Sequence, residues 1–310
     1  MRNAFADEIT KLAVNDERIV VLSGDIGNQL FNKFKDQCPG RFFNCGIAEA
    51  NMMSVAAGLA MSGLRPVCYT ITPFTTTRCL EQIRVDVCYH HVPVTIVGVG
   101  SGLSYASLGS THHSCEDIAF LRVLPHMNVI CPGDAWEVRQ SLHQVFQRSE
   151  PAYIRLGKKG EPVIHTKAPN FVIGKCIPLR RGKDVALLST GNMLPFAVEA
   201  GEILAKENID TEVVSFHTVK PLDVDYLAQA FSSFKLVVTI EEHSILGGFG
   251  SSVSEWLTDF PAPFRAKLCK IAAPDKFWHG VGEQEHARED LGLTTADIVK
   301  NVQKRLREIF

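Results

Sequence analysis

The chain has 310 residues, enough for about two domains of roughly 100 to 200 residues each. Its 32 Lys and Arg against 34 Asp and Glu leave a net charge of −2, which excludes the broad basic footprint needed for nucleic acid or an anionic membrane surface. With 45% apolar and 21% charged residues the chain is not disordered, and no apolar run nears the ~18 residues of a membrane span.

The first twenty residues carry Asp7, Glu8, Asp16 and Glu17 where a signal peptide needs an apolar core. Nine cysteines, an odd number with no C-x-x-C spacing, suit neither a disulfide framework nor a structural zinc site. A cytoplasmic location is expected.

In chain order, the first half predicts helix 3–15, strands 18–23 and 41–45, helix 47–62, strand 65–71, helix 74–89, strand 93–97, helix 115–124, strand 127–131, helix 135–147 and strand 152–155. Residues 157–182 are rich in Gly, Pro and basic side chains and read as a linker with room for a short strand. A second block predicts strand 184–189, helix 194–207, strand 211–215, helix 224–231, strand 236–240, helix 250–260, strand 265–271 and helix 294–308. Such alternation predicts the α/β class: two three-layer α/β/α domains, over 1–165 and 183–310, with a linker over 166–182. Ligands of such sheets collect at the carboxyl ends of the strands.

Glu49 is the only charged residue between Arg41 and Arg65, in the first turn of a helix rich in Ala, Gly, Met and Ser. A carboxylate alone on such a surface needs a dedicated partner or a shared proton, because an unpaired buried charge is costly. The other reading is that it satisfies the first-turn amides of its own helix. Further on, Gly98, Gly100, Gly102 and Gly109 lie in a long loop ending in Thr111, His112 and His113. Both histidines then stand at a strand's carboxyl end just before a helix, where an anionic or hydroxylated ligand can be held; the alternative is a cap or a packed surface residue. Ser114 and Asp117 resemble a capping box. No G-x-S-x-G, P-loop or G-x-G-x-x-G pattern occurs, which disfavours serine hydrolase, P-loop and simple dinucleotide-binding readings.

The runs GIAEANMMSVAAGLAMSG, PFTTTRCLEQIR, GSTHHSCEDIAFLRVLPHMNVICPGD and PAYIRLGKKG resemble the pyrimidine-binding domain of transketolase; STGNMLPFAVEAGEILAKENI, VKPLD, EEHSILGGFG and GVGEQEHAREDLGLT resemble its C-terminal domain. The resemblance covers nearly the whole chain. The family's diphosphate-binding domain, marked by G-D-G and a later Asn, has no counterpart here, so the chain resembles the C-terminal subunit of a split transketolase.

That resemblance implies thiamine diphosphate as cofactor and a ketol transfer between sugars. Glu49 matches the glutamic acid on the aminopyrimidine N1′, Ile47 the apolar wedge under the cofactor, Phe74 the aromatic that stacks on the pyrimidine, and Asp25 an aspartate near it. Arg78 and Gln82 match the R-x-x-x-Q spacing of the split-subunit pattern. His112, in the Gly-x-Thr-His motif, matches a proton donor or acceptor to sugar oxygens, with His113 beside it. Arg2 and Lys158 fall where the family places cations for a substrate phosphate. The implied partner is an N-terminal subunit carrying the diphosphate-binding domain with its Mg²⁺ or Ca²⁺, in a heterotetramer of two plus two chains, with a sugar as small-molecule substrate.

The chain departs from the family at Leu108, where an Asp commonly reads a sugar hydroxyl, at Gly100, where many members have a histidine, and at Thr77 and Leu80, where aromatics are common. A leucine cannot read a hydroxyl, so a modified or less common sugar is expected. Rival readings are the β subunit of a 2-oxo-acid dehydrogenase, a deoxyxylulose-phosphate-synthase-like enzyme using pyruvate, and a non-catalytic regulatory subunit.

Overall fold

The computed structural model describes residues 1–158, 160–260 and 263–309, so Lys159 of the expected linker and the final Phe310 lie outside the described residues. The first half runs α1 (Arg2–Asn15), β1 (Ile19–Ser23), α2 (Asn32–Gln37), β2 (Phe42–Asn44), α3 (Glu49–Met61), β3 (Arg65–Ile71), α4 (Thr72–Thr75), α5 (Leu80–Gln82), β4 (Thr95–Val99), α6 (Asp117–Arg122), β5 (Asn128–Ile130), α7 (Ala135–Phe146) and β6 (Ala152–Leu156). The second half runs β7 (Ile177–Arg180), β8 (Val185–Ser189), α8 (Leu194–Lys206), β9 (Thr211–Ser215), β10 (Thr218–Lys220), α9 (Val224–Ser233), β11 (Leu236–Ser244), α10 (Phe249–Asp259), β12 (Lys267–Ala273), α11 (Gln284–Leu291) and α12 (Thr295–Ile309).

The strands form two sheets, ordered β10-β5-β6-β4-β3-β1-β2 and β12-β11-β8-β9-β7. Both are parallel except at one edge, where β10 runs antiparallel to β5 and β7 antiparallel to β9. β10 comes from the second half of the chain yet closes the first sheet, so the two halves share backbone hydrogen bonds as well as side-chain packing.

Parallel sheets buried on both faces need apolar residues at successive positions. In β1 all five residues are buried; Val20 and Leu22 face one core with Met52, Met53 and Ala56 of α3, while Ile19 and Val21 face another with Phe5, Phe34 and Leu142. The first of these cores runs on through Ala186, Leu188, Phe216 and Phe249 into the second sheet. α2 and α3 therefore pack on opposite faces, and the chain reverses its winding between β1 and β3. In sheets of this type such a reversal leaves a crevice outside the carboxyl ends of the strands.

The expected single helix over 74–89 is broken. α4 is followed by a 3₁₀ turn at Thr77–Cys79, then α5, then a π-helical stretch at Ile83–Tyr89. Three consecutive threonines explain the start of the break: the Thr76 hydroxyl donates back to the Thr72 carbonyl at 2.7 Å, competing with the helical ladder. The Ser114–Asp117 capping box does not form. Ser114 instead pairs with Gly102 in an isolated bridge, and the Asp117 carboxylate accepts from Arg155 Nε at 2.7 Å and from the Tyr153 hydroxyl at 2.6 Å. Burial alone would raise the Asp117 carboxyl, but the Arg155 charge and these hydrogen bonds outweigh it and hold the group below the usual range.

The Arg155 side chain is 1% exposed, too enclosed for bulk solvent to take the place of Asp117. Asp117→Ala is expected to cost about 3–5 kcal/mol, because it strands a buried guanidinium. Urea unfolding read by circular dichroism checks this; a loss under ~1 kcal/mol would mean that the enclosure admits solvent.

Candidate active site

Three chain segments meet in the β1/β3 crevice. Gly24 and Asp25 follow β1, Glu49 opens α3 after β2, and Phe74 and Arg78 follow β3. Gly24 comes so close that a side chain there would lie 3.1 Å from the Thr70 hydroxyl and 3.3 Å from Glu49 Cγ. This contact needs glycine for space rather than for backbone freedom.

Glu49 is 2% exposed, and its helix has no side-chain cap. Its partner is Arg78, whose Nη1 donates to both carboxylate oxygens at 3.0 and 3.1 Å. The same guanidinium lies 3.9 Å from the centroid of the Phe74 ring and is 43% exposed at its side chain. Arg78 thus bridges the carboxylate and the aromatic face. Gln82 lies half-buried one turn further on. Cys79, next to Arg78, is no nucleophile, since burial first and the Glu49 charge next push its thiol up to about 12.

The histidine loop leaves β4 and folds back over the crevice. The His112 ring sits 5.2 Å from the Phe74 ring, edge-on, with its Nδ1 3.0 Å from the Thr111 hydroxyl. His113 points elsewhere, with Nε2 3.1 Å from the Ala106 carbonyl oxygen and its ring 5.8 Å from Trp278. The two histidines therefore divide: one faces the crevice and the other ties the loop to the second half of the chain. Gly100 has φ +73, and a Cβ there would overlap the Tyr105 ring. Tyr105 fills the space a side chain at position 100 would take, which accounts for one departure from the family pattern.

Lys158 Nζ lies 5.0 Å from the Tyr105 ring centroid and 4.0 Å from Glu283. Arg2 Nε is buried with no hydrogen-bond partner. Asp25, at φ 56, and Ile47, 79% exposed, line the open side of the crevice, where Asn44 Nδ2 donates to Asp25 at 2.8 Å. Leu108 is 52% exposed on the loop's outer turn. Sequence reasoning missed Tyr105, Trp278 and Thr70; an aromatic in a glycine-rich loop was the available signal for the first.

The residues present fit an aminopyrimidine. They include a buried carboxylate, an aromatic ring joined to it through Arg78, and a buried Thr70 hydroxyl with no hydrogen-bond partner beside Gly24. Among the described residues no cluster of three His, Cys, Asp or Glu could hold a metal ion, and no helix is long and apolar enough to cross a membrane.

Residues 1–161 match the family model "Transketolase, pyrimidine binding domain" and residues 174–298 match "Transketolase, C-terminal domain". The 6-deoxy-6-sulfo-D-fructose transketolase subunit SqwH of Clostridium sp. (strain MSTE9) is 36% identical over 97% of this chain and 92% of that protein. A subunit of the apulose-4-phosphate transketolase of Phocaeicola vulgatus is 35% identical over 89% of this chain and 88% of its own length. A solved structure described as a split gene transketolase, inactive beta4 tetramer, superposes with a TM-score of 0.90 at 36% identity, covering 98% of this chain and 97% of that one.

Burial first, and then the charges of His113 and Arg78, lower the His112 imidazole from its ordinary 6.5. Protonation therefore favours the unfolded chain, and this group's contribution to stability declines as pH falls below 6.5. A histidine NMR titration should place the His112 midpoint below 6.5 and move it upward in Arg78→Ala, which removes one of the lowering charges.

Proposed function

The chain belongs to the transketolase family and corresponds to the C-terminal subunit of a split enzyme; from that premise we propose that it works with an N-terminal partner to transfer a two-carbon ketol unit between sugar substrates. Glu49 carries the reading: a carboxylate 2% exposed, set in the switch-point crevice beside Phe74 and across from His112. We assign residues 1–165 to pyrimidine binding, 166–182 to the linker and 183–310 to the C-terminal domain.

Thiamine diphosphate, when bound, supplies the carbon nucleophile of ketol transfer. Glu49 holds or shares a proton with the pyrimidine ring from a position 2% exposed to solvent. Phe74 offers a stacking face, and Ile47 presents exposed apolar surface on the open side. Arg78 covers both Glu49 and Phe74, so admitting the ring requires the guanidinium to leave, a move its exposure permits. His112, held neutral to lower pH than usual, can accept or return a proton at a sugar oxygen. Lys158, over the Tyr105 ring, and Arg2, whose buried Nε has no hydrogen-bond partner, suit the anionic end of a substrate. Asp25 and Gln82 complete the cofactor's surroundings. The diphosphate with its Mg²⁺ or Ca²⁺ belongs to the partner, in a closed assembly of two plus two chains placed in the cytoplasm.

Two relatives are named for uncommon ketoses, a sulfo-deoxyfructose and apulose 4-phosphate. Together with the exposed, apolar Leu108, this supports a modified ketose as substrate rather than the pair xylulose 5-phosphate and ribose 5-phosphate. Efficient turnover of that ordinary pair by the assembled enzyme would overturn the substrate reading.

Glu49→Gln should lower kcat by about 10²–10⁴-fold, the range for losing a positioned acid or base. Native mass spectrometry of the same variant with its partner should still record the four-chain particle with thiamine diphosphate. Full activity in Glu49→Gln would refute the proton role, and a particle lacking both partner and cofactor would refute the split-enzyme reading.

A further inference from the structure

The geometry points to Glu242, far down the chain in the second sheet, as a positioning residue that holds the histidine loop over the crevice. This rests on reading that loop as part of the active site. Glu242 lies near the carboxyl end of β11 and is fully enclosed. Its Oε1 accepts from Asn192 Nδ2 at 3.0 Å and Gln284 Nε2 at 2.9 Å, and its Oε2 accepts from Gln284 at 3.1 Å and from Arg288 Nε. Those donors all belong to the second half and would satisfy the charge by themselves. One further donor comes from outside: the Leu103 amide of the histidine loop, at 2.8 Å.

The loop is built to reach this carboxylate. Gly102 has φ +62, and a Cβ there would collide with Glu242 Oε1. Leu103 and Ala106 are buried in the second domain's own core, among Leu187, Met193 and Ile240. The loop's return is fastened to the same strand. The Ser244 amide donates to the Cys115 carbonyl at 2.7 Å, and Arg155 Nη2 bridges the Ser114 and Glu242 carbonyls at 3.0 and 2.9 Å. The Gly102–Ser114 bridge closes the base of the loop, with hydrogen bonds of 3.0 and 2.9 Å. His112 lies between these two anchors, so their position bears on its own. A hydrogen bond from an amide to a buried carboxylate is among the stronger ones available, and it is shielded from water here.

The test uses Glu242→Ala, Glu242→Gln and Gly102→Ala in the full chain. Amide hydrogen exchange should show Leu103 and Ser114 exchanging about tenfold faster or more in Glu242→Ala, with β8 amides unchanged, as expected on losing a charged acceptor. Glu242→Gln keeps one acceptor oxygen and should restore part of that protection. In the enzyme assembled with its partner, kcat should fall by about tenfold or more while thiamine diphosphate binding, read by fluorescence titration, stays within about twofold. Unchanged Leu103 exchange in Glu242→Ala overturns the proposal, as does faster exchange with unaltered kcat. Should Glu242→Ala fail to fold, Gly102→Ala decides, since it displaces the loop with one methyl and strands no charge. If the wild-type assembly transfers no ketol unit, the function falls while the exchange data still test the latch.

Discussion

Arg155 is the constraint around which the two sheets are arranged. Its guanidinium is taken out of water, and it can remain charged only while acceptors surround it. Those acceptors come from three separate places: the Asp117 carboxylate at the start of α6, the Ser114 carbonyl in the histidine loop and the Glu242 carbonyl on β11. None of the three can drift without exposing a buried charge to an apolar surround. One side chain near the end of β6 thus ties first sheet, loop and second sheet together, alongside the β10 pairing and the shared core.

The crevice follows from how parallel strands are wound. β1 connects to β2 on one side, the chain crosses back through α3 to β3 on the other, and the two crossovers leave a gap between them. Loops from adjacent strand ends must empty into that gap. Glu49, Phe74, Arg78 and His112 are far apart in sequence but come from such ends, so a rigid sheet sets their separations. The small residues around Glu49 do the remaining work by letting backbone, as at Gly24, come within contact distance.

Four large apolar side chains just before α3 and along it, Phe43, Ile47, Val55 and Met61, are exposed. Under the proposed split-enzyme reading, such a face is where a partner's half of the cofactor site would pack. The division of labour inside the chain is of the same kind. The second sheet brings none of Glu49, Phe74 or His112, but it supplies much of what holds the histidine loop still.

The sequence by itself determined the α/β class, most strands to within two residues, and the candidacy of Glu49, His112 and Phe74. The class, Glu49 and His112 rest on local signals, namely strand-length apolar runs, a lone carboxylate in a small-residue helix and glycines ahead of two histidines; Phe74 was a candidate only through the family resemblance. α2 and α11 were illegible because their charge-rich stretches bury few residues, and β10 because its Thr-Val-Lys run holds a single apolar residue. The break in the 74–89 helix was visible only as a threonine run whose back-bonding needed the folded turn to show itself. That Asp117 pairs with Arg155 instead of capping a helix, that Arg78 serves Glu49, and that Glu242 reaches Leu103 were decided by tertiary structure alone. Such pairings join residues 29 to 139 positions apart, and no local pattern specifies which distant charge will be brought to a buried one; only the winding of the sheets does that.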